Sequence, residues 1–574
     1  MNGGERIARV LADRGIRDLF TLCGGHISPI LVAASRAGLT VTDVRHEAAA
    51  VFAADALARL SGLPGVAAVT AGPGLTNTLT AVKNAQLAQS PVLLLGGATA
   101  TALKNRGALQ DIDQLPLMSP HVKFAHTVKR ARDLAPAVAE ALETAVSGVP
   151  GPVFVECPVD LLYDESVVRG WYGQSGPHGK RLADRVTHGW LDWHVRRLFA
   201  GADRMPPPPR EVRPALPGPA IIGDIAARVA AAERPVLVCG SQALARSGDA
   251  DLVRAAVARL GIPVYLSGMA RGLLGRHHRL LLRHRRRDAL KSADLVLLAG
   301  VPCDFRLDYG RQLAKARVVA FNLSTHDLKL NRRPEHGIVA DPGVCLRELA
   351  AALQPGAADR GVWLAELRAR DDAREAEIGR RAAATGVGVN PLRLCRAIDA
   401  ILPDDSVLVA DGGDFVATAS YVVRSRGPLR WLDPGAFGTL GVGGGFALGA
   451  ARARPGAEIW ILYGDGSVGY SLAEFDTFVR HGLAPIAVVG NDACWAQIAR
   501  EQVKLLGDDT GVRLARTDYQ RAAEGLGAVG LLVARDEDVP AVLAEARTLS
   551  AAGRPVLVNA HLAPTDFREG SLSI

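Results

Sequence analysis

Acidic and glycine residues follow two apolar runs near the C-terminus of the chain. The run 459–463 leads into Gly-Asp-Gly-Ser at 464–467, and the run 485–489 precedes Asn491 and Asp492. Both runs read as strands, and ligands bind at the carboxyl ends of strands in α/β sheets. Glycines let backbone N–H groups approach phosphate oxygens, and oxygen ligands suit Mg²⁺. The spacing favours a diphosphate held through a divalent metal ion, although Gly-Asp-Gly alone also occurs in ordinary strand-to-helix turns.

With the later Asn-Asp pair, this segment resembles the signature of thiamine-diphosphate-dependent enzymes, in which Gly-Asp-Gly precedes Asn-Asn. In this chain an aspartate replaces the second asparagine, which should keep metal binding but changes the charge around the ion. The resemblance implies that the metal ligands are Asp465, Asp492 and the main-chain carbonyl of Cys494, with Asn491 as the other candidate. It also implies diphosphate contacts from Gly464, Gly466 and Ser467.

A glutamate near the N-terminus, Glu47, stands at a predicted strand-to-helix junction. An acid at that position could simply be favoured by the helix dipole. The segment 42–50, however, resembles the family's strand-Arg-His-Glu-helix segment. That resemblance implies that Glu47 lies against N1′ of the cofactor's aminopyrimidine and promotes the 4′-imino form, the base that removes the C2 proton.

Two glycine-bearing regions extend the resemblance. The stretch 70–77, Thr-Ala-Gly-Pro-Gly-Leu-Thr-Asn, is similar to the family loop that lies against the aminopyrimidine. The stretches 410–414 and 438–445 are similar to the segments that frame the diphosphate and support the bent cofactor. Leu440 matches the apolar residue that forces this bend, although its position also fits an ordinary core leucine. The cofactor contacts implied here are Thr70, Pro73, Asn77, Gly412, Gly413 and Leu440.

Strands alternate with helices along the 574 residues, which predicts an α/β protein with three doubly wound parallel-sheet domains. The family order is a pyrimidine-binding, a central nucleotide-binding-like and a diphosphate-binding domain. We assign these domains to 1–164, 220–353 and 390–574. Between them we predict a proline-rich linker with a helix near 191–199, within 165–219, and a charged, exposed helical connector within 354–389.

The formal charge of +8 arises from 67 basic and 59 acidic side chains. Aromatic residues are only 5% of the chain and no nucleic-acid-binding module is recognisable, so nucleic acid is not an expected partner. The arginine-rich run 283–287 is typical of a solvated face. A polyphosphate ligand such as coenzyme A is a further explanation for a few of the arginines.

Location and assembly are predicted from absent signals and from the family. The seven cysteines are scattered without CxxC pairs, which is typical of reduced thiols in the cytosol. Neither a signal peptide nor a long apolar stretch is recognisable, so we expect a cytoplasmic protein with no membrane contact. In the family the cofactor lies across a subunit interface, which implies at least a homodimer and favours a homotetramer.

The substrate class is predicted from the loop around His26. This histidine follows a predicted strand at a glycine turn, where an imidazole could move protons near neutral pH, although a lone histidine is more often structural. The segment resembles benzaldehyde lyase and the acetolactate-synthase-like 2-hydroxyacyl-CoA lyases. Gln110 matches an active-site amide of those lyases, and its alternative reading is a surface loop amide.

The resemblance implies a thiamine-diphosphate- and Mg²⁺-dependent lyase that cleaves the C1–C2 bond of a 2-hydroxyacyl-CoA to an aldehyde and formyl-CoA. Glu47, His26 and Gln110 would be its catalytic residues, and carboligation is the reverse reaction. The alternative is an acetolactate synthase or benzaldehyde-lyase-type carboligase acting on small 2-oxo acids or aldehydes. A non-catalytic cofactor-binding scaffold is the least favoured reading. In the central domain the resemblance allows ADP or an empty site and predicts no FAD.

Overall fold

Parallel strands form three separate six-stranded sheets in this computed structural model, which describes residues 1–172, 182–206, 208–210, 212–353 and 360–569. Residues 173–181, 207 and 211 of the predicted linker, 354–359 of the connector and 570–574 of the third domain lie outside the described residues. By contact density the chain forms two compact units, Met1–Ala58 with Leu63–Val212 and Arg59–Gly62 with Arg213–Ile574.

The first sheet has the strand order β2-β1-β3-β4-β6-β5, and its pairs are parallel. Its strands are β1 (Asp18–Thr21), β2 (Thr40–Asp43), β3 (Gly65–Val69), β4 (Val92–Ala98), β5 (Phe124–Thr127) and β6 (Val153–Pro158). The helices of this region are Gly3–Asp13, Ser28–Arg36, Glu47–Ser61, Pro73–Thr76, Leu79–Leu87, Gln114–Met118, Leu134–Val146, Glu165–Trp171 and Leu182–Phe199.

The second sheet has the order β12-β11-β10-β7-β8-β9, again with parallel pairs. Its strands are β7 (Pro235–Cys239), β8 (Val264–Leu266), β9 (Leu281–Leu282), β10 (Leu295–Ala299), β11 (Arg317–Asn322) and β12 (His336–Val339). The helices are Pro219–Ala231, Ala250–Leu260, Arg286–Ser292, Thr325–Lys329, Pro342–Ala352 and Gly361–Ala383.

The third sheet has the order β14-β13-β15-β16-β18-β17, with parallel pairs throughout. Its strands are β13 (Val407–Asp411), β14 (Trp431–Leu432), β15 (Ile459–Gly464), β16 (Ile486–Asn491), β17 (Val529–Val533) and β18 (Val556–His561). The helices are Pro391–Ile401, Asp414–Val422, Val442–Ala453, Asp465–Val468, Glu474–Arg480, Ala496–Leu506, Tyr519–Gly525 and Val539–Ala551.

The apolar strand runs are explained by burial on both faces. Strands such as β4, β7 and β15 are buried along their whole length, because helices cover both sides of each parallel sheet. Each sheet has its own cluster of buried aliphatic side chains. The predicted α/β class with three parallel sheets is confirmed.

Two surface predictions were wrong, and a third element is longer than predicted. The connector helix Gly361–Ala383 is not exposed along all of its faces, because it buries Trp363, Leu367 and Ile378. The arginine-rich run is not a uniformly solvated face, because His284 is buried within it. The linker helix begins at Leu182 rather than near 191. No helix among the described residues is both long and apolar enough to cross a membrane.

Candidate functional site

Glu47 begins the helix Glu47–Ser61, four residues after β2 ends at Asp43. Its side chain is buried, with the residue 8% exposed. Asn77 Nδ2 donates a hydrogen bond to Glu47 Oε2 over 3.0 Å. The carboxylate therefore has a defined orientation, held by an amide from the loop 70–77 that the sequence also singled out.

The loop 70–77 passes directly beside Glu47. Gly72 has φ +62°, which favours glycine, and the short helix Pro73–Thr76 follows it. A Cβ on Gly74 would lie 2.7 Å from Thr70 Cγ2 and 3.7 Å from Glu47 Oε1. A side chain at position 74 would therefore collide with Thr70, whereas its contact with Glu47 would be an ordinary van der Waals one.

His26 lies on the other side of Thr70. Its Nδ1 is 3.1 Å from Thr70 Oγ1, within hydrogen-bond distance. The residue is half-buried, and this burial lowers the pKa of His26 below its usual 6.5. A Cβ on Gly97 would lie 2.6 Å from His26 Cβ, so that glycine leaves room for the histidine. The imidazole is therefore neutral near pH 7 and can accept a proton at Nε2.

Gln110 contacts the same loop from the far side. It has φ +63°, and a Cβ on Gly72 would lie 3.0 Å from its Cβ. Its side chain lines a cavity of about 340 Å³ at the carboxyl ends of β4, β5 and β6. The loop 70–77 thus contacts His26 through Thr70 and Glu47 through Asn77, while Gln110 faces the neighbouring cavity.

Gln114 was missed by the sequence analysis. It is buried, and its Oε1 accepts a hydrogen bond from the N–H of Gly72 over 3.1 Å. Its Nε2 donates to Glu156 Oε1 over 2.8 Å. Gln114 therefore holds the loop beside Glu47 through its backbone. A lone glutamine at the start of a short helix carries no sequence signal for this role.

In the second unit, the carboxyl ends of β13, β15 and β16 meet at one edge of the third sheet. Strand register pairs Asp411 with Tyr463 and Gly464 with Gly490, so the three turns lie side by side. They open onto a cavity of about 620 Å³. Among its lining residues are Gly412, Gly413, Asp414, Leu440, Gly464, Asp465, Gly466, Ser467, Gly490, Asp492, Cys494 and Trp495.

Asn491, the last residue of β16, and Asp492, which follows it, point in different directions, because side chains alternate along an extended chain. Asp492 lines the cavity together with Asp465. Asn491 is 0% exposed, and its Nδ2 donates to Thr517 O and to Asn559 Oδ1, both over 3.2 Å. The amide nitrogen of Asn491 is therefore used within the interior of the domain, where its Oδ1 is buried and accepts no hydrogen bond from the described residues.

Negative charge concentrates where the cation would bind. Burial raises the pKa of Asp492 to about 7, and the charges of Asp465 and Asp414 add to this effect. Asp465 is held by N–H groups, from Gly466 to Oδ1 over 2.8 Å and from Cys494 to Oδ2 over 3.2 Å. A divalent cation would relieve the repulsion between such carboxylates, so this donor set fits Mg²⁺.

The carboxylates do not complete a metal shell by themselves. In the part of the chain that the structure describes, no three His, Cys, Asp or Glu side chains group as metal ligands. Mg²⁺ usually keeps few protein carboxylates and takes further oxygens from phosphate or water. The site therefore suits a metal that arrives together with a diphosphate.

Asp411 fixes the loop that carries Leu440. Its Oδ1 accepts from the N–H of Gly441 over 2.9 Å, and its Oδ2 accepts from the N–H of Gly443 over 2.7 Å. These bonds tie the start of the helix Val442–Ala453 to the end of β13. Leu440 is thereby held beside Gly412 at the cavity wall.

The second glycine of the Gly-Asp-Gly turn, Gly466, packs directly against an aromatic ring. A Cβ on Gly466 would lie 2.3 Å from the ring of Trp495. The N–H of Gly464 donates to Ser467 Oγ over 3.0 Å, and the Ser467 hydroxyl also contacts the carbonyl of Asp411. The backbone of this turn is therefore tightly packed on both sides.

Family models match all three regions of the chain. Residues 1–117 match the N-terminal TPP-binding domain of thiamine pyrophosphate enzymes, thiamine pyrophosphate being thiamine diphosphate. Residues 222–349 match the central domain and residues 411–560 the C-terminal TPP-binding domain of these enzymes. The two site regions described above fall within the two TPP-binding domains.

Curated relatives align along the whole chain. The chain is 50% identical to "2-hydroxyacyl-CoA lyase 2" from Homo sapiens, with 100% of this chain and 92% of the relative covered. It is also 50% identical to the protein of that name from Caenorhabditis elegans, covering 100% and 91%. A "Probable acetolactate synthase" from Mycobacterium bovis is 34% identical, covering 97% and 95%. The chain therefore belongs to the thiamine pyrophosphate enzyme family.

Proposed function

We propose that this chain is a thiamine-diphosphate-dependent 2-hydroxyacyl-CoA lyase that cleaves the C1–C2 bond to give an aldehyde and formyl-CoA. One observation carries the choice among family activities. Identity over the full chain is 50% to the human 2-hydroxyacyl-CoA lyase 2 and 34% to the mycobacterial acetolactate synthase. The predicted catalytic side chains Glu47, His26 and Gln110 are also present.

The second unit supplies the residues that would hold the metal and the diphosphate. Asp465, Asp492 and the main-chain carbonyl of Cys494 are the proposed Mg²⁺ ligands. The cavity position of Asp492 and the interior position of Asn491 support Asp492 as the ligand. Gly412, Gly413, Gly464 and Gly466 carry no side chain, so phosphate oxygens could approach the backbone of these turns. The N–H groups of Gly464 and Gly466 themselves donate to Ser467 Oγ and Asp465 Oδ1. Ser467 acts in this proposal by holding the turn.

In the first unit, Glu47 would lie against the aminopyrimidine. Bound thiamine diphosphate supplies a nucleophilic carbon and an electron sink for breaking the carbon–carbon bond. Glu47 Oε2 is held by Asn77, so its carboxylate can offer a fixed acceptor to a ring N–H. Thr70 and Pro73 belong to the same loop and would line the ring.

His26 is the proposed base for the substrate's 2-hydroxyl proton. Its Nδ1 is engaged by Thr70, which leaves Nε2 to accept the proton. Burial lowers its pKa, so the neutral, basic form is present at neutral pH. Gln110 would orient the substrate oxygen from the adjoining cavity.

A homodimer is the proposed minimum active unit, and a homotetramer the expected assembly. The pyrimidine-side and diphosphate-side residues belong to different compact units of the chain. Family members combine such residues from two subunits. Light scattering after gel filtration would measure the assembly, and a purely monomeric active protein would contradict it.

Substrate class can be tested by offering a 2-hydroxyacyl-CoA, pyruvate and benzoin in parallel with thiamine diphosphate and Mg²⁺. We expect formyl-CoA and aldehyde from the thioester alone. Acetolactate from pyruvate at a comparable rate, with the thioester untouched, would replace the proposal with acetolactate synthase. The central domain can be tested in the same preparation, where we expect no flavin absorbance and where released ADP would identify a resident nucleotide.

A further inference from the structure

A second large cavity of the Arg213–Ile574 unit is lined by an unusual concentration of arginines. It encloses about 700 Å³, a volume typical of ligand sites. Nine arginines and His284 line it, and no Asp or Glu of the described residues does so. Such a lining attracts anions and disfavours cations. The run 283–287 supplies five of these basic side chains, which explains why that run is not simply a solvated face.

Carboxylates that do not line the cavity pair with several of its basic side chains. Arg283 Nη1 and His284 Nε2 both lie 2.9 Å from Glu375 Oε1. Arg374 pairs with Glu377 over 2.6 Å. These carboxylates hold the basic side chains in place without contributing to the cavity surface.

Four further lining arginines, Arg276, Arg285, Arg424 and Arg568, pair with acidic side chains, but three others form no salt bridge with the described residues. Within the described residues, neither Arg286 nor Arg287 forms a salt bridge, and Arg286 donates only to the carbonyl of Arg306, over 2.6 Å. The third is Arg271, whose Nε is buried and donates no hydrogen bond. Burial and repulsion from the nearby Arg271 lower the pKa of Arg286, because both disfavour its charged form. The cavity therefore has a surplus of positive charge and of donors.

The arginine cavity adjoins the cavity that contains Asp465 and Leu440. Arg271, Arg286 and Ser420 line both. A ligand anchored among the arginines can therefore extend toward the predicted metal and cofactor residues. This arrangement suits a long molecule with phosphates at one end and a reacting group at the other.

We propose that the arginine cavity binds the phosphate groups of the coenzyme A portion of the substrate, with the acyl end extending into the adjoining cavity that contains Asp465 and Leu440. Guanidinium groups bind phosphates through paired, charge-assisted hydrogen bonds, so several arginines match several phosphates. The identification of the ligand as coenzyme A rests on the proposed lyase function. A separate resident nucleotide such as ADP shares the phosphate chemistry and is the competing source.

The test uses the full-length protein loaded with thiamine diphosphate and Mg²⁺, with desulfo-coenzyme A as an unreactive probe. Calorimetry would compare wild type, Arg287→Gln and Arg286→Gln. Each substitution removes a charged donor, so affinity should fall about tenfold, and the salt dependence of binding should weaken. Arg287 is exposed and lines only the arginine cavity, so its variant should keep its fold and its thiamine diphosphate affinity. Arg521→Gln is the matched control, because Arg521 is an exposed arginine outside the cavity.

The outcomes separate this inference from the proposed function. Unchanged desulfo-coenzyme A affinity in both cavity variants would overturn the inference even if the wild type cleaves a 2-hydroxyacyl-CoA. If both cavity variants bound desulfo-coenzyme A more weakly but the wild type cleaved no 2-hydroxyacyl-CoA, the proposed lyase function would be wrong. The arginine cavity would still be a coenzyme A site. ADP that binds through the same arginines and is not displaced by desulfo-coenzyme A would assign the cavity to a separate nucleotide, overturning the proposal.

Discussion

Leu440 Cδ2 lies 2.0 Å from the position that a Cβ on Gly412 would occupy. The leucine side chain and the glycine turn at the end of β13 are therefore packed into one another. The position of Leu440 is in turn fixed by the N–H groups of Gly441 and Gly443, which donate hydrogen bonds to Asp411. This contact forms part of the wall of the cavity that also contains Asp465 and Asp492.

Replacing Gly412 by alanine should displace Leu440 and lower thiamine diphosphate affinity by at least about tenfold, since a clash of this size forces one side to move. Titration with the cofactor in the presence of Mg²⁺ measures the change. Gly482→Ala is the control for backbone strain: Gly482 has φ +61°, close to the +56° of Gly412, but a Cβ there meets nothing within 4 Å. Equal cofactor affinity in the two variants would show that the contact with Leu440 is unimportant.

Asp465→Ala and Asp492→Ala should each weaken Mg²⁺ and thiamine diphosphate binding together by at least about tenfold, because the metal links protein and phosphate. Asn491→Ala should instead leave metal affinity intact and lower the free energy of unfolding by about 1–3 kcal/mol, since Asn559 loses a buried hydrogen bond. Calorimetry and denaturant titration separate the two effects. If Asn491→Ala lost metal affinity and Asp492→Ala did not, Asn491 rather than Asp492 would be the ligand.

Glu47→Gln should reduce turnover by at least about 100-fold while the protein stays folded, because an amide cannot replace the carboxylate toward the cofactor ring. Asn77 can still bond to the amide oxygen, so the local geometry is preserved. Steady-state assay and circular dichroism are the measurements, with the exposed Glu140→Gln as control. Activity near wild type would remove Glu47 from the mechanism.

The pH dependence of kcat/KM should carry an acid limb from His26. Burial lowers the pKa of His26, so activity is lost only as pH falls below its usual 6.5, when the base becomes protonated. His26→Gln should lower kcat/KM by about 100-fold and remove this limb. His326→Gln, at an exposed histidine, should leave the profile unchanged. An identical acid limb in His26→Gln would identify a different base.

The sequence by itself was sufficient for the fold class and for the resemblance of both ends of the chain to TPP-binding domains. Apolar runs alternating with helical segments predict parallel sheets, and parallel sheets bring strand ends to one edge. That rule placed the Gly-Asp-Gly turn beside Asp492. The helix start at Glu47 was predicted from the apolar helical run that follows it. These features depend on local spacing, which a sequence displays directly.

Tertiary packing decided what local spacing leaves open. Whether Asn491 or Asp492 faces the cavity depends on side-chain alternation at the last residues of β16, and a shift of one residue would exchange them. Gln114 became part of the site only because folding brought it against Gly72. The run 283–287 lines a cavity only because residues far along the chain, such as Arg374 and Arg568, close around it. Contacts between distant segments have no signature in the order of residues, so the structure alone supplied them.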